Sequence, residues 1–344
     1  MRFRKSSLLS LTAILLVSLV LAACGSQNGA NSGNSGGNGN TSAEQNSQAE
    51  GNQPAGGNAG QAQTKVFKDM KGDVTVPTNP ERIVSITHLG DLAALGVKPV
   101  GAGSLALENS ILLKDELEGV ANVGDVSMEK VLELDPDLII VPSYLPAENV
   151  EQLKKIAPVV TLATTGWEGI DPLEEVKTMG ELLGKQKEAE EFITRYKQKA
   201  EEAKKKIQEV IGPDEKIGTY SIWAKNFWVW PKTRDAGYNL YEMFGLKPLP
   251  KIESEAFPGQ GIDISLEVLS DYAADHMFVT VYEPDGGAER AKEVMNGAVW
   301  KNLPAVKNNH VYMLDMKEFW MVDGLNLEKQ VDILTDLILS QNKK

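Results

Sequence analysis

The sequence predicts an α/β protein of two similar lobes, each with a mostly parallel sheet flanked by helices, joined by one long rigid helix. Strands alternate with helices beyond residue 64, the second half repeats the order of the first, and an amphipathic helix lies between the halves. Such alternation is typical of parallel sheets covered on both faces. A ligand cleft between the lobes follows, because ligand sites favour domain interfaces and the carboxyl ends of parallel strands.

The first half contains short apolar runs, bounded by turn residues, that predict strands. Helical patterns separate these runs. Gly96 ends the first helix, and Asp135-Pro136-Asp137 ends a later one. The main predicted elements are strands at 82–86, 138–141 and 158–162 and helices at 89–95 and 127–134.

The second half repeats five short patterns of the first half in the same order, with one longer insertion after Ile217. Each match is weak alone, but the shared order supports two related lobes. The matching pairs are 81–83 with 215–217, 96–99 with 245–248, 127–129 with 265–267, Asp137 with Asp275, and 158–162 with 311–314.

A long helix is predicted between the lobes. From Glu188 to Val210 apolar residues recur at steps of three and four, which places them on one helix face. Gly212-Pro213 ends the pattern. A stiff connector is the favoured interpretation, and a coiled coil is the alternative, although the stripe spans only about three heptads.

The amino terminus has the pattern of a secretory signal: basic residues, an apolar run at 8–21, and small residues before Cys24. Cys24 is the only cysteine, and Leu21-Ala22-Ala23-Cys24 resembles the lipobox of bacterial lipoproteins, in which the cysteine is lipidated. An ordinary signal peptide with an unrelated cysteine is the alternative. Residues 25–64 are almost all Gly, Asn, Ser, Gln and Ala, which predicts a disordered tether.

These patterns divide the chain into five parts. We expect a monomer on the extracytoplasmic face of the cell membrane, anchored through lipidated Cys24. The parts are a signal peptide at 1–23, a lipid anchor and tether at 24–64, an N-terminal lobe at 65–170, a helical connector at 171–212 and a C-terminal lobe at 213–344.

Composition and motifs exclude several classes of function. The net charge of −13 argues against a nucleic-acid partner, because contacts between basic residues and phosphates dominate the affinity of proteins for nucleic acids. The sequence has no nucleophile-elbow, P-loop or zinc-protease motif, so we expect that the protein is not an enzyme. The three histidines, His88, His276 and His310, lack the spacing of a metal motif, so we expect no metal site.

Six motifs carry a resemblance over residues 65–344, and they lie at 79–84, 95–101, 123–124, 129–134, 137–140 and 182–184. They are similar to the helical-backbone class of ABC-importer solute-binding proteins, which includes siderophore, haem and cobalamin binders. The resemblance implies the two-lobed fold and a transport role, and it is less specific for the ligand. The Trp-rich segment at 222–237 resembles the ferric-hydroxamate branch of this class.

The resemblance implies a set of ligand contacts in the cleft. In the ferric-hydroxamate branch an aromatic pair and an arginine of the second lobe contact the siderophore, and a further aromatic residue lies near the end of that lobe. Side chains that follow first-lobe strands complete the set. The expected contacts are Trp228, Trp230, Arg234, Trp320, Tyr144, His88 and Ser104.

A ferric siderophore suits these residues because it has apolar flanks and exposed oxygen atoms around the metal. Aromatic rings bury the flanks, and an arginine donates hydrogen bonds to the oxygens. The siderophore saturates its iron, so we expect no resident cofactor. Core packing is the alternative for tryptophans, above all for Trp167 and Trp300. A surface ion pair with Asp235 or Glu242 is the alternative for Arg234.

Two glutamates are expected to contact the transporter. Glu129 and Glu267 each lie two residues into a predicted helix capped by Ser127 or Ser265. Glutamate is favourable in the first turn of any helix, which is the alternative explanation. The resemblance implies that one exposed glutamate in each lobe docks onto arginines of an ABC permease dimer.

Three other functions remain as alternatives. Haem is one, because Tyr144 or His88 offers a ligand for its iron. Catecholate or carboxylate siderophores are another. Their more negative complexes require several basic residues, for which the sequence offers Arg234, with Lys225 and Lys232 as further candidates. A surface adhesin or sensor lipoprotein is the third.

Overall fold

The computed structural model describes residues 63–342. The expected signal peptide, Cys24 and nearly all of the tether lie outside this range. The described part begins with an antiparallel hairpin of β1 (Thr64–Lys68) and β2 (Asp73–Pro77). The carboxylate of Asp69 accepts two N–H groups in the turn and one from the first lobe, at 2.7–2.9 Å, and so attaches the hairpin to that lobe.

The first lobe is built on a parallel sheet of five short strands. They are β3 (Ile83–Ser85), β4 (Gly101–Ala102), β5 (Ala121–Asn122), β6 (Leu138–Pro142) and β7 (Val159–Leu162), of which all but β5 are buried. They pair in the order β5-β4-β3-β6-β7, and each pair is parallel. The predicted strands at 82–86, 138–141 and 158–162 are confirmed.

The second lobe has a sheet with a parallel part and an antiparallel extension. Its strands are β8 (Lys216–Ile222), β9 (Phe227–Val229), β10 (Lys247–Pro248), β11 (Ile262–Asp263), β12 (His276–Val281) and β13 (Val311–Met313). The order is β11-β9-β8-β12-β13, with β10 also paired to β8. Strands β10, β8, β12 and β13 pair in parallel, whereas β9 and β11 pair antiparallel.

The repeated aspartates have the same role in both lobes. Asp137 precedes β6 and accepts the backbone N–H groups of Glu81 and Arg82 at 2.7 and 2.9 Å. Asp275 precedes β12 and accepts the N–H of Lys216 at 2.8 Å. Each carboxylate therefore holds the start of a neighbouring central strand, which explains this part of the sequence repeat.

Helices cover both faces of the sheets. In the first lobe and the connector they are α1 (Leu89–Ala94), α2 (Ser104–Asn109), α3 (Met128–Glu133), α4 (Ala147–Leu153), α5 (Thr165–Glu168), α6 (Pro172–Leu183) and α7 (Gln186–Ile207). In the second lobe they are α8 (Pro250–Glu255), α9 (Gly287–Asn296), α10 (Ala298–Asn302), α11 (Pro304–Lys307), α12 (Met316–Phe319) and α13 (Gly324–Gln341).

Alternate residues of the strands pack into different cores. Leu138 and Ile140 of β6 join the core formed with α6, α7 and α13, whereas Ile139 and Val141 join the core on the other face of the sheet. Phe278 of β12 packs into the same core as Leu138. Because strand side chains alternate between faces, both sheets contribute one face to this shared core. The two sheets are therefore joined through one continuous apolar core.

The connector helix α7 is held along its length by α6 and α13. The apolar stripe predicted for α7 is buried, which supports a connector packed within one protein rather than a coiled coil. On its polar side Arg195 donates to both carboxylate oxygens of Glu328 in α13 at 2.8 and 3.1 Å. Lys329 of α13 donates to the carbonyl of Leu112 in the first lobe at 2.6 Å. The last helix therefore links the connector to the first lobe.

One local prediction is wrong. Ser127 caps α3 as expected, and its hydroxyl accepts the N–H of Lys130 at 3.4 Å. Ser265 begins no α-helix: 266–267 form a turn before a short 3-10 segment, Leu269–Asp271. Strand β11 ends two residues before Ser265 and pairs with β9 at the edge of the sheet. The chain therefore enters this segment in a different direction from the corresponding segment of the first lobe. Among residues 63–342, every helix is too short or too polar to span a bilayer.

Candidate functional site

A cavity of about 610 Å³ lies between the two lobes, where the carboxyl ends of their parallel strands meet. Ligand sites of α/β proteins favour this position. The volume falls within the roughly 300–1,000 Å³ of small-molecule sites. Side chains of both lobes line the cavity, and most of the lining is apolar or aromatic.

The antiparallel extension of the second lobe carries a pair of tryptophans into this cavity. Trp228 lies in β9 opposite Ser221 of β8, and Trp230 follows two residues later, on the same face. Their rings stack with centroids 4.9 Å apart and planes at 4°. Gly261 allows this packing, because its φ is +96° and a Cβ there would lie 2.6 Å from Cε3 of Trp230.

Three N–H groups on this wall are buried and lack a hydrogen-bond partner among residues 63–342. They are Nε1 of Trp228, Nε1 of Trp230 and Nε of Arg234. A buried donor left without an acceptor costs about 1–3 kcal/mol. All three belong to residues that line one cavity, and protein atoms cover each nitrogen, so a ligand oxygen reaches these donors only when the side chains shift.

Arg234 lies between the two lobes. Its Cζ is 5.7 Å from the centroid of a Trp230 ring, and its Nη2 donates to Oε1 of Gln260 at 3.4 Å. A Cβ on Gly166 of the first lobe would lie 3.7 Å from Nη1, so the guanidinium packs against that lobe. Burial lowers the pKa of Arg234, and the charge of Asp235 opposes this effect.

Arg234 forms no ion pair with any of residues 63–342, so the surface ion pair with Asp235 or Glu242 is not observed among them. Glu242 pairs instead with Lys232 at 2.8 Å. Asp235 is buried and accepts a hydrogen bond from the hydroxyl of Thr280 at 2.8 Å. Burial raises the pKa of Asp235 to about 6, although Thr280 and Arg234 both act to lower it.

A second aromatic group lies on the same wall. Trp223 stacks on Tyr282 with centroids 4.3 Å apart, and Tyr282 stacks on Trp320 at 5.6 Å. Trp223 and Trp320 line the cavity, and Tyr282 packs between them. Trp223 follows β8 and Tyr282 follows β12, so both rings stand at the carboxyl ends of parallel strands.

The first-lobe wall is apolar and partly exposed. Tyr144 and Trp167 pack with ring centroids 5.4 Å apart and are 45% and 58% exposed. Leu105 lines the cavity beside them. The carbonyl of Trp167 accepts a hydrogen bond from Nε2 of Gln260 in the second lobe at 2.6 Å. These exposed groups are the kind of surface that a ligand buries.

Beneath this wall lies a buried acid–histidine cluster. Nδ1 of His88 is 3.2 Å from Oδ2 of Asp91 and 3.2 Å from Oε2 of Glu175. Burial alone lowers the pKa of His88, but hydrogen bonds and charges of both carboxylates outweigh it and raise the pKa to about 10. The imidazolium therefore persists at neutral pH. His88 also has φ +63°, a conformation that costs a non-glycine residue about 1–3 kcal/mol.

The same cluster joins the first lobe to the last helix. The N–H of Gly90 donates to Oδ2 of Asp323 at 2.9 Å, and the N–H of Gly324 donates to Oδ1 of Asp91 at 3.0 Å. The starts of α1 and α13 therefore cap each other. A Cβ on Gly324 would lie 2.4 Å from the carbonyl oxygen of Gly90, so this approach requires glycine.

The structure brings together most of the residues expected from the sequence. Those that line the cavity are Trp228, Trp230, Arg234, Trp320, Tyr144 and His88. Ser104 is not part of the lining, because its hydroxyl donates to Oδ1 of Asn122 at 2.8 Å. The next residue, Leu105, faces the cavity instead.

Sequence reasoning missed several residues of the lining. Trp167, for which core packing was the alternative, is exposed at the cavity, whereas Trp300 is buried in the core of the second lobe. Gln260 and Trp223 also line the cavity. The position of Trp167 shortly after β7 was an available signal, since side chains after parallel strands reach the ligand edge.

Comparison with known proteins agrees with this architecture. Residues 83–318 match the family model described as periplasmic binding protein. The chain is 38% identical, over 83% of its length, to the iron(3+)-hydroxamate-binding protein YxeB of Bacillus subtilis (strain 168), and the match covers 89% of that protein.

Solved structures have the same fold. One is a FhuD-fold periplasmic binding protein component of a Fep/Fec-like ferrichrome ABC transporter from Bacillus subtilis, with a TM-score of 0.72 and 33% identity over 79% of this chain and 99% of that chain. Another is FhuD2 from Staphylococcus aureus with bound ferrioxamine B, with a TM-score of 0.68 and 25% identity over 77% of this chain and 100% of that chain. The chain belongs to the periplasmic binding protein family, whose members bind solutes for ABC transporters and are not enzymes.

Proposed function

We propose that this protein binds an iron(III)–siderophore complex of the hydroxamate type in the interlobe cavity and delivers it to an ABC permease. The observation that carries the proposal is the second-lobe wall, where two stacked indoles and a guanidinium present buried N–H groups without partners among the described residues. A hydroxamate complex offers apolar flanks for the indoles and metal-bound oxygens for these donors. The relatives named for hydroxamate and ferrichrome binding support the same ligand class.

The charge of the cavity favours hydroxamates over more anionic siderophores. Arg234 and the imidazolium of His88 are the cations in the lining formed by residues 63–342, and they are accompanied by Glu175, Asp235 and Asp323. The further basic candidates of the sequence, Lys225 and Lys232, do not line the cavity. A trianionic catecholate or citrate complex would meet like charges there, which disfavours binding.

Haem is disfavoured by the state of its two candidate ligands. His88 is held as an imidazolium by its carboxylate partners, so neither ring nitrogen offers a lone pair to iron. Burial and the charge of Glu168 raise the pKa of Tyr144, which opposes the phenolate that iron ligation requires. Both effects support a ligand that arrives with its iron already coordinated.

The test is a tryptophan-fluorescence titration of the full chain in a Cys24→Ser background, which removes lipidation. We expect saturable quenching by ferrioxamine B and ferrichrome with Kd below about 1 μM. We expect weaker or no quenching by ferric citrate, a ferric catecholate and haem. Arg234→Ala weakens binding, and Arg234→Lys restores it only in part, because an ammonium lacks the planar fork of donors.

The outcomes separate the alternatives. Quenching only by the anionic complexes contradicts the hydroxamate assignment and keeps the transport role. Quenching only by haem would identify the ligand as an iron porphyrin rather than a siderophore complex. Absence of any response contradicts the whole proposal and favours an adhesin or sensor role at the cell surface.

Glu129 and Glu267 are proposed to dock onto the permease. Both side chains are exposed, Glu129 in the first turn of α3 and Glu267 in the turn after β11. Charge reversal to Arg is expected to leave siderophore affinity unchanged and to reduce uptake of radiolabelled ferric siderophore by cells. Glu133→Arg, on an exposed position of the same helix α3, is the matched control and retains uptake. Equal uptake by all variants contradicts the docking role.

We further propose the domain limits stated above, a monomer, and anchoring to the outer face of the membrane through lipidated Cys24. The sequence pattern before Cys24 supports the anchor. Cys24→Ser is expected to move the protein from the membrane fraction to the soluble or secreted fraction. An unchanged distribution contradicts the anchor without affecting the cleft.

A further inference from the structure

A second group of metal-ligating side chains lies at the opposite end of the second-lobe sheet from the cavity. Glu215 immediately precedes β8, His276 begins β12, and His310 immediately precedes β13. Because β8, β12 and β13 are parallel neighbours, their amino-terminal ends bring the three residues together. Strand β12 separates this group from the cavity by roughly 17 Å, at about 3.3 Å per residue.

The three side chains offer converging ligand atoms. One atom from each lies within 4.8 Å of the others. Nε2 of His276 is 3.4 Å from Oε2 of Glu215, and the two imidazole rings stack with centroids 4.2 Å apart. A tetrahedral Zn²⁺ with bonds of about 2.0–2.2 Å holds its ligand atoms roughly 3.3–3.6 Å apart. His276 and Glu215 already have this separation, and the ligand atom of His310 lies within 4.8 Å of both. One imidazole must turn out of the stack, because the lone pair of each nitrogen lies in its own ring plane.

Two of these ligand residues carry buried nitrogens that lack a hydrogen bond. They are Nε2 of His276 and Nδ1 of His310, considered among residues 63–342. Buried polar atoms normally have a partner, and the contact of Nε2 of His276 with Oε2 of Glu215 at 3.4 Å is not a well-formed hydrogen bond. An ion bound between the two nitrogens and Glu215 satisfies both.

Surrounding groups orient the ligands as they do in metal sites. Nδ1 of His276 lies 3.0 Å from the hydroxyl of Tyr312, and an N–H donated to that oxygen leaves a lone pair on Nε2. The N–H of Gly212 donates to Oε2 of Glu215 at 2.6 Å. Such outer contacts fix the tautomer of a ligating histidine and the direction of a ligating carboxylate.

The acid–histidine cluster of the cavity floor shares one of these features, because Nε2 of His88 also lacks a hydrogen-bond partner among residues 63–342, but it differs in geometry and burial. His88 directs one nitrogen at two carboxylates, Asp91 and Glu175, so a proton already satisfies that contact. All three of those residues are buried, whereas Glu215 and His310 are partly exposed and leave a path for an ion and room for a water ligand. The second-lobe group is therefore the better candidate.

We propose that Glu215, His276 and His310 form a binding site for a divalent transition-metal ion of the Zn²⁺ type, distinct from the iron carried as cargo. Two imidazoles and a carboxylate are ligands that Zn²⁺ prefers, with water as the fourth. The ion ties the starts of β8, β12 and β13 together. Its binding therefore stabilises the second lobe against unfolding.

Zn²⁺ binding to the full chain tests this proposal. The protein is prepared without a polyhistidine tag and in a Cys24→Ser background, so that neither an added histidine nor the single thiol binds metal. Calorimetric titration is expected to give one Zn²⁺ per chain and a higher unfolding temperature. Co²⁺ is expected to give the visible absorption bands of a tetrahedral site. Siderophore binding is not needed for either readout.

Variants locate the ion. Glu215→Gln and His310→Gln are expected to weaken Zn²⁺ binding at least about 100-fold, since loss of an outer contact alone costs roughly 10–100-fold. Tyr312→Phe should cost that smaller factor. Asp214→Asn, a fully exposed neighbour of Glu215, is the matched control and keeps full affinity. Absence of Zn²⁺ binding, or binding that survives in Glu215→Gln and His310→Gln but is lost in His88→Gln, overturns the proposal.

Discussion

The two lobes share a strand plan but meet the ligand cavity with different surfaces. The first lobe has a parallel sheet, and its side of the cavity consists of exposed Tyr144 and Trp167 above the buried His88 cluster. The second lobe adds antiparallel β9 and β11 to an otherwise parallel sheet. That addition carries Trp228 and leads into Trp230 and Arg234.

This difference separates two tasks. The first-lobe cluster holds α1 against α13 through paired carboxylate caps, so its charges stabilise the junction between lobe and last helix. The second-lobe extension holds N–H donors without partners among the described residues, which suits ligand recognition. Substitutions in the first set should therefore change stability, and substitutions in the second should change affinity.

The largest effect is expected from His88→Gln. The variant leaves Asp91 and Glu175 buried without their cation, which typically costs about 3–5 kcal/mol of unfolding free energy. Because folding raises the pKa of His88 to about 10 from an ordinary ~6.5, the wild-type contribution is complete below that lower value and lost as pH rises through about 10. Urea unfolding at several pH values measures this. A variant with the same pH slope as the wild type contradicts the role of the cluster.

Trp228→Ala is the next largest change and tests the other lobe. Truncation removes an indole face and an N–H donor from the cavity, for which we expect a loss of about 2 kcal/mol or more in ferric-hydroxamate affinity, or roughly 30-fold in Kd. Tyr144→Ala on the first-lobe wall is the matched aromatic control and should cost less. Fluorescence titration compares them. A larger effect at Tyr144 would reverse the assignment of the two walls.

Gly261→Ala tests whether the antiparallel extension of the second lobe positions the tryptophan pair. A methyl group at φ +96° would lie 2.6 Å from the Trp230 ring, so the pair of tryptophans must shift. We expect about 1–3 kcal/mol of lost stability from strain and crowding, together with weaker siderophore binding. Gly259→Ala, two residues away with no atom within 4 Å of the added Cβ, is the control. Thermal unfolding and titration of both variants check the prediction, and equal behaviour of the two would contradict it.

The pH-dependent effect expected from Asp235→Asn is confined to acidic pH. Because burial raises the pKa of Asp235 to about 6, the folded state keeps this proton to a higher pH than the unfolded state. The wild type therefore loses stability, on the order of 3 kcal/mol, as pH rises from about 4 to above 6. The variant cannot titrate and should lack this loss. The difference in unfolding free energy between the two proteins, measured across that range, should change with pH. A constant difference contradicts the pKa shift.

The strands and the connector could be predicted from the sequence because their signals are local. The apolar runs that form β6 and β12 and the spaced apolar residues of α7 are visible within a few residues of one another. The internal sequence repeat further indicated that the two lobes have the same order of strands and helices. Resemblance to a known family then supplied Trp228, Trp230 and Arg234, which composition alone would not have distinguished from core residues.

The remaining features depend on pairings between distant residues. The pairing of β9 with β11 joins segments more than thirty residues apart, and the resulting edge is the reason that no helix begins at Ser265. His276 and His310 lie far apart in the sequence and meet only through parallel pairing of β12 with β13. Trp167 follows β7 and lies at the cavity, whereas Trp300 lies in α10 and is buried, so they are distinguished only once the strand is assigned.

The central claim is that the second-lobe extension recognises the metal-bound oxygens of a ferric hydroxamate. A crystal structure of the protein with ferrioxamine B tests it most directly. We expect the complex in the interlobe cavity, with its oxygens within hydrogen-bond distance of Arg234 or of the indole N–H groups of Trp228 and Trp230. A complex bound through first-lobe residues alone, or outside the cavity, would contradict it.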